Sequence, residues 1–134
     1  MTERYYRNRR ILQGYNHLLK QIDDLACLCA ELETNATKIN QTLSDAPSPS
    51  NHEVNSRVEG DYIRIAEMKA RLEKAIIRRN KIDAALKRLS YKHQVIVREI
   101  DINGQSISKT AKKLKMNYNY LIGLHVKVVG ELKI

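Results

Sequence analysis

Ten apolar residues, Ile11, Tyr15, Leu18, Ile22, Leu25, Cys29, Leu32, Ala36, Ile39 and Leu43, follow one another by alternating steps of four and three. A mean step of 3.5 residues keeps one helix face turned to a partner, so the row predicts a long helix over about residues 3–45 with a coiled-coil-like seam. Leu12, Leu19, Ala26 and Leu28 widen the stripe, which predicts contact with more than one neighbour. Thr34, Asn35, Thr37 and Asn40 have modest helix propensity, so the last third of this helix depends on packing.

The segment SDAPSPSN then breaks the pattern, and its prolines and serines predict a loop over residues 46–50. Ser50 and Glu53 have the spacing of a capping box, which opens a second helix over about residues 51–89 with an irregularity at Gly60. Its seam is Ile65, Met68, Leu72, Ala75, Arg79, Ile82, Leu86 and Leu89, interrupted only by Arg79. Two long helices joined by a short loop fold back as an antiparallel hairpin, and their long seams favour a homo-oligomer. Trp and Phe are absent, and a core of Leu, Ile, Val and Ala suits helix-on-helix packing. The expected fold is all-α: a hairpin over residues 1–89 and a small helical domain over 90–134.

Within that last domain, Ser90 to Asp101 reads as a supporting helix closed by Asn103-Gly104, a pair that tolerates positive φ. Ser106 is an N-cap for a short helix carrying Ile107, Ala111 and Leu114, and Asn117 is an N-cap for another carrying Leu121, Leu124 and Val128. Two short helices around a tight turn outline a helix-turn-helix. With Leu121, Leu124 and Val128 turned inward, Asn119, Ile122, Gly123 and Val126 face outward. Asn119 is then the natural base reader, able to pair with adenine through two hydrogen bonds. Ile122 and Val126 offer apolar contact, and Gly123 allows close backbone approach at a cost of about 1 kcal/mol in helix propensity. Lys109, Lys112, Lys113, Lys115 and Lys127 would contact phosphates, which position a module without reading sequence.

The formal net charge of +9 is uneven: zero over residues 1–45, +4 over 46–89 and +5 over 90–134. That distribution favours a polyanion partner for the C-terminal part, double-stranded DNA first. Residues 1–10 carry four arginines and read either as a phosphate-touching arm or as a solvated helix start. Arg78, Arg79, Lys81, Lys87 and Arg88 make the end of the second helix basic, which suits the helix dipole as well as phosphate contact. Cys27 and Cys29 point about 200° apart on a helix and are expected to be buried thiols without a shared bond or metal. No apolar run reaches the roughly 18 to 20 residues of a membrane span, and no secretory segment follows the N-terminal arginines, so a soluble cytoplasmic protein is expected. His17, His52, His93 and His125 are scattered, and no phosphate loop or nucleophile elbow is present. Neither enzymatic activity nor any cofactor or metal is expected.

The segment from Leu89 to Lys133 resembles region 4 of bacterial sigma factors, with matching positions at Gly104, Ser106, Ala111, Leu114, Leu121, Leu124, Val129 and Leu132. The layout of a long helical half followed by this tail is similar to small phage and prophage late-gene regulators with a sigma-like C-terminal domain. The resemblance implies DNA binding by the last helix in the major groove, contact with bacterial RNA polymerase or another host or phage protein, and a site formed by Ser106, Lys109, Lys112, Lys113, Lys115, Asn117, Tyr118, Asn119, Tyr120, Ile122, Gly123 and Lys127. It implies an activator or accessory factor and not a complete sigma factor. The chain departs from the pattern where Tyr118, Asn119 and Tyr120 replace the usual Arg and Glu, where Ser108 and Lys109 replace an acidic pair, and where Lys115 replaces the turn glycine. Two other readings stay open: the DNA-recognition subunit of a phage packaging machine, and a protein-interaction module or enzyme inhibitor that has kept the fold and lost base recognition.

Overall fold

The computed structural model describes the backbone of residues 1–45 and 51–134 and the side chains of residues 1–35 and 59–134. The predicted loop over 46–50, the Ser50–Glu53 capping box and the seam positions Ala36, Ile39 and Leu43 lie outside that description. The described chain is all-helical: α1 (Glu3–Gln13), α2 (Tyr15–Asp45), α3 (Asn51–Lys87), α4 (Tyr91–Val97), a π-helical turn (Arg98–Ile102), α5 (Ile107–Leu114) and α6 (Tyr118–Glu131). Helix α3 runs through Gly60 without the expected irregularity.

The single helix expected over residues 3–45 is instead two, parted at Gly14. Thr2 caps α1 by accepting from the Tyr5 amide at 3.3 Å, and Glu3 and Arg10 complement the dipole at its two ends. The Gly14 amide still donates to the Arg10 carbonyl and its own carbonyl accepts from Leu18, so the break is one residue wide. Glycine is the weakest non-proline helix former, which makes this the place where the two segments separate.

The chain divides into two compact units, residues 1–19 with 78–134, and residues 20–77. This partition does not follow the expected boundary at 89/90. The reason is packing: α1 lies against α6 and against the π-helical turn, so the N-terminal segment belongs with the C-terminal one. In the first unit, the larger core gathers Tyr5 and Leu12 from α1, Tyr15 from α2, Ile82 and Leu86 from α3, Val97 from α4 and Val128 and Val129 from α6. A smaller core joins Ile96, Ile100, Ala111 and Leu121. Leu124 packs against both, which ties α6 to each.

In the second unit, Ile22, Cys29, Ile65 and Ala75 are buried, with Leu25, Leu32, Met68 and Leu72 half-buried. These positions fall on the two expected seams. Lys69 pairs with Glu33, and that carboxylate raises the Lys69 pKa through a hydrogen bond and its charge. Cys29 is buried and Cys27 exposed, which corrects the expectation of two buried thiols. The correction follows from helical geometry, because two residues about 200° apart cannot both face one seam.

Candidate nucleic-acid interface

Ser90 opens α4 by accepting from the His93 amide at 3.4 Å. The chain then widens into the π-helical turn, where the Asn103 amide reaches the Arg98 carbonyl and the Gln105 amide reaches Glu99. This turn buries Ile100, Asp101 and Ile102 in succession. Gly104 follows at φ 69°, a conformation that costs other residues about 1–2 kcal/mol. The supporting helix expected over 90–101 is therefore part α-helix and part π-helix.

Ser106 caps α5 by accepting from the Lys109 amide at 3.1 Å, and Asn117 caps α6 by accepting from Asn119 at 2.9 Å and Tyr120 at 3.4 Å. Both caps sit where the side-chain pattern placed them. Their oxygens are consumed in capping, so Ser106 and Asn117 act on the interface by holding the two helix starts. Between the helices, the Met116 amide reaches the Ala111 carbonyl at 2.9 Å while Lys115 takes the left-handed conformation at φ 54°. This is a Schellman-type close, completed by Met116 packing onto the smaller core. Glycine is the usual residue at such a position, and Lys115 stands there instead.

Lys115→Gly is accordingly expected to stabilise the protein by about 0.5–1 kcal/mol, the strain released exceeding the extra freedom given to the unfolded chain. Urea unfolding would check the gain. If Lys115 also contacts phosphate, the same variant should bind duplex DNA with a salt slope lower by about one.

The twelve site residues do not share one environment. Lys109, Lys112, Lys115, Tyr118, Asn119, Tyr120, Gly123 and Lys127 are exposed. Lys113 is also exposed, and its ammonium is held by Glu99 at 3.1 Å. Ile122 is half-buried. Val126 is half-buried and packs against the larger core, which corrects its expected outward orientation. The cause is α1, which covers the C-terminal half of α6 closely enough that a Cβ added at Gly130 would meet Tyr5 at 4.0 Å. The open part of α6 is thus its N-terminal half around Asn119 and Gly123, and nothing lies within 4 Å of a Cβ built on Gly123. Lys127 rims a cleft of about 370 Å³ with Arg88, His93 and Lys133. Lys92 stands over the Tyr120 ring at 5.9 Å from its centroid, adding a cation that no motif had marked.

Five residues that hold this surface in place were not marked by any sequence motif. Asn8 is fully buried and donates to the Val129 and Leu132 carbonyls at 2.8 and 2.9 Å, satisfying the end of α6 from α1. His125 Nε2 lies 2.7 Å from Asp101 Oδ2, with both side chains sealed from solvent. Placing the proton on Nε2 leaves Nδ1 to accept from the Tyr5 hydroxyl at 3.5 Å, a tautomer assigned from the network. Burial raises the Tyr5 pKa and Asp101 raises it further, against an opposing effect of Arg9, so the phenol keeps its proton. Arg9 Nε is 3.4 Å from Asp101 Oδ1, within ion-pair range but outside hydrogen-bond geometry. With the His125 and Asp101 side chains 1% and 0% exposed, this buried group binds α1, α6 and the π turn together.

Among the described residues, no group of three or more His, Cys, Asp or Glu is arranged to hold a metal ion, and no helix is long and apolar enough to cross a membrane. No protein-family model, curated protein or solved structure matches the chain.

Proposed function

We propose that the protein is a phage-type transcription regulator, an activator or accessory factor. It binds double-stranded DNA through a sigma region 4-like helix-turn-helix formed by α5, the Lys115 turn and α6. RNA polymerase is the proposed protein partner, and α2 and α3 form an antiparallel hairpin that serves assembly. The observation that carries this reading is the uncovered N-terminal half of α6, where Asn119 and Gly123 are exposed, together with the exposure of Lys109, Lys112 and Lys115 on the preceding helix and turn. Supporting it, the Glu33–Lys69 pair joins α2 to α3 as a hairpin requires.

The test is binding to a labelled 30-base-pair duplex followed by anisotropy across a salt series. With about four phosphate contacts, affinity should fall roughly 100-fold between 50 and 200 mM salt. Lys112→Ala should flatten that slope by about one, and Asn119→Ala should cost about 1–3 kcal/mol on a selected adenine-containing site while leaving non-specific binding unchanged. Gly123→Ala separates fold from function, because the added methyl enters open space in the free protein. It should stabilise α6 by about 1 kcal/mol, yet weaken duplex binding at least about tenfold if α6 seats its backbone against DNA.

A second reading, a protein-interaction module, rests on the exposed rings of Tyr91, Tyr118 and Tyr120. Retention of a partner protein that is insensitive to salt and to both Lys112→Ala and Asn119→Ala, together with no duplex binding, would select it.

A further inference from the structure

Helix α3 carries apolar residues on two faces within the unit of residues 20–77. One face, with Ile65, Met68, Leu72 and Ala75, is buried or half-buried. The opposite face presents Ile63, Ala70 and Ile77, and the two isoleucines are 61% and 53% exposed. Successive members of this row are seven residues apart and stay nearly in line, because a heptad on a straight α-helix drifts by only about 20°. A row of this kind can serve as a seam for another helix.

We infer that this outer face of α3 is the contact between two copies of the chain, paired antiparallel about a two-fold axis through Ala70. The stripe is self-complementary under that operation, as an isologous interface must be. Ile63 and Ile77 lie seven residues to either side of Ala70, so each meets the other on the partner copy. Ala70 meets its own equivalent, and a small residue there lets the backbones approach.

The charges obey the same symmetry. Glu67 and Lys74 lie on one flank of the stripe, three residues before and four after Ala70. A two-fold axis perpendicular to the helices brings each flank against the same flank of the copy. Glu67 of each chain then faces Lys74 of the other with an offset of one residue, about 1.5 Å along the helix, giving two equivalent ion pairs. A parallel two-fold pairing would instead set this flank against the opposite flank of the copy, so neither of these two ion pairs would form. The Glu67–Lys74 pairs therefore belong to a second copy in the antiparallel direction. This inference deepens the assembly role given above to α2 and α3, and it does not depend on DNA binding.

Sedimentation equilibrium of the full chain without DNA tests it. The unmodified protein should be dimeric at micromolar concentration. Ile77→Glu should raise the dimer dissociation constant roughly 100-fold with its helical circular dichroism unchanged, since the side chain is exposed in one copy. Glu67→Lys and Lys74→Glu should each weaken the dimer about tenfold, and the double exchange should restore it to within about threefold. In a Cys27→Ser background, Ala70→Cys should oxidise to a covalent dimer faster than Ala66→Cys, because only position 70 meets itself. A protein that stays monomeric up to roughly 100 μM would overturn the inference. So would a dimer indifferent to Ile77→Glu, or equal cross-linking at positions 66 and 70. Duplex binding measured on the same samples keeps the two readings apart: a dimer that ignores DNA removes only the proposed function, and a monomer that binds DNA removes only this interface.

Discussion

Asp101→Ala is expected to lower the unfolding free energy by about 3–5 kcal/mol, the cost of leaving buried charged and polar partners uncompensated. The carboxylate is fully buried, faces His125 at 2.7 Å and is the anion nearest Arg9 at 3.4 Å. Its removal strands the imidazole Nε2 in a site that water does not reach. Asp101→Asn keeps an acceptor for Nε2–H and gives up the charge, so it should lose less, about 1–3 kcal/mol. Chemical denaturation of both variants distinguishes a joined group from an incidental contact. A loss below about 1 kcal/mol for the alanine variant would mean that α1 and α6 are held by apolar packing alone.

Leu12→Ala should cost about 2–5 kcal/mol, as truncation of a buried leucine does when the cavity cannot collapse. Leu12 has no exposed surface and sits with Leu86, Val97 and Val129 in the core that α1 shares with α3, α4 and α6. The effect also tests the division of the chain. If residues 1–13 were an arm apart from the C-terminal segment, the mutation would leave the unfolding of that segment unchanged. With α1 docked on α6, Leu12→Ala should lower the hydrogen-exchange protection of α6 amides as well as global stability. Comparison with Leu121→Ala, which empties the smaller core, would show whether the two cores unfold together.

Much of the local structure was legible because it depends on neighbours in sequence. Ser106 and Asn117 cap where their side-chain chemistry placed them, and Leu121 and Val128 are buried on the predicted face of α6. The left-handed turn at Lys115 was harder to read, since a lysine carries no positive-φ signal. Its conformation follows from the Met116 contact and the Ala111 carbonyl, not from its own preference. Val126 shows the same limit from the other side: a helical wheel treats the face opposite the core as solvent, and α1 covers it.

The sequence by itself determined an all-helical chain, the two apolar seams, the caps of α5 and α6 and the basic character of the C-terminal part. These follow from periodicity, capping chemistry and charge, each of which acts over a few residues. Only the tertiary structure decided that α1 belongs with α6, that Asn8 closes the last turn of that helix, and that Asp101 and His125, 24 residues apart, meet as a buried pair. The reason is that burial of a polar side chain is tolerable only when a partner is delivered by another segment, and no periodicity records which segment will deliver it. An arginine-rich opening looks like a solvated surface until the one asparagine among its arginines is seen bonded to the far end of the chain.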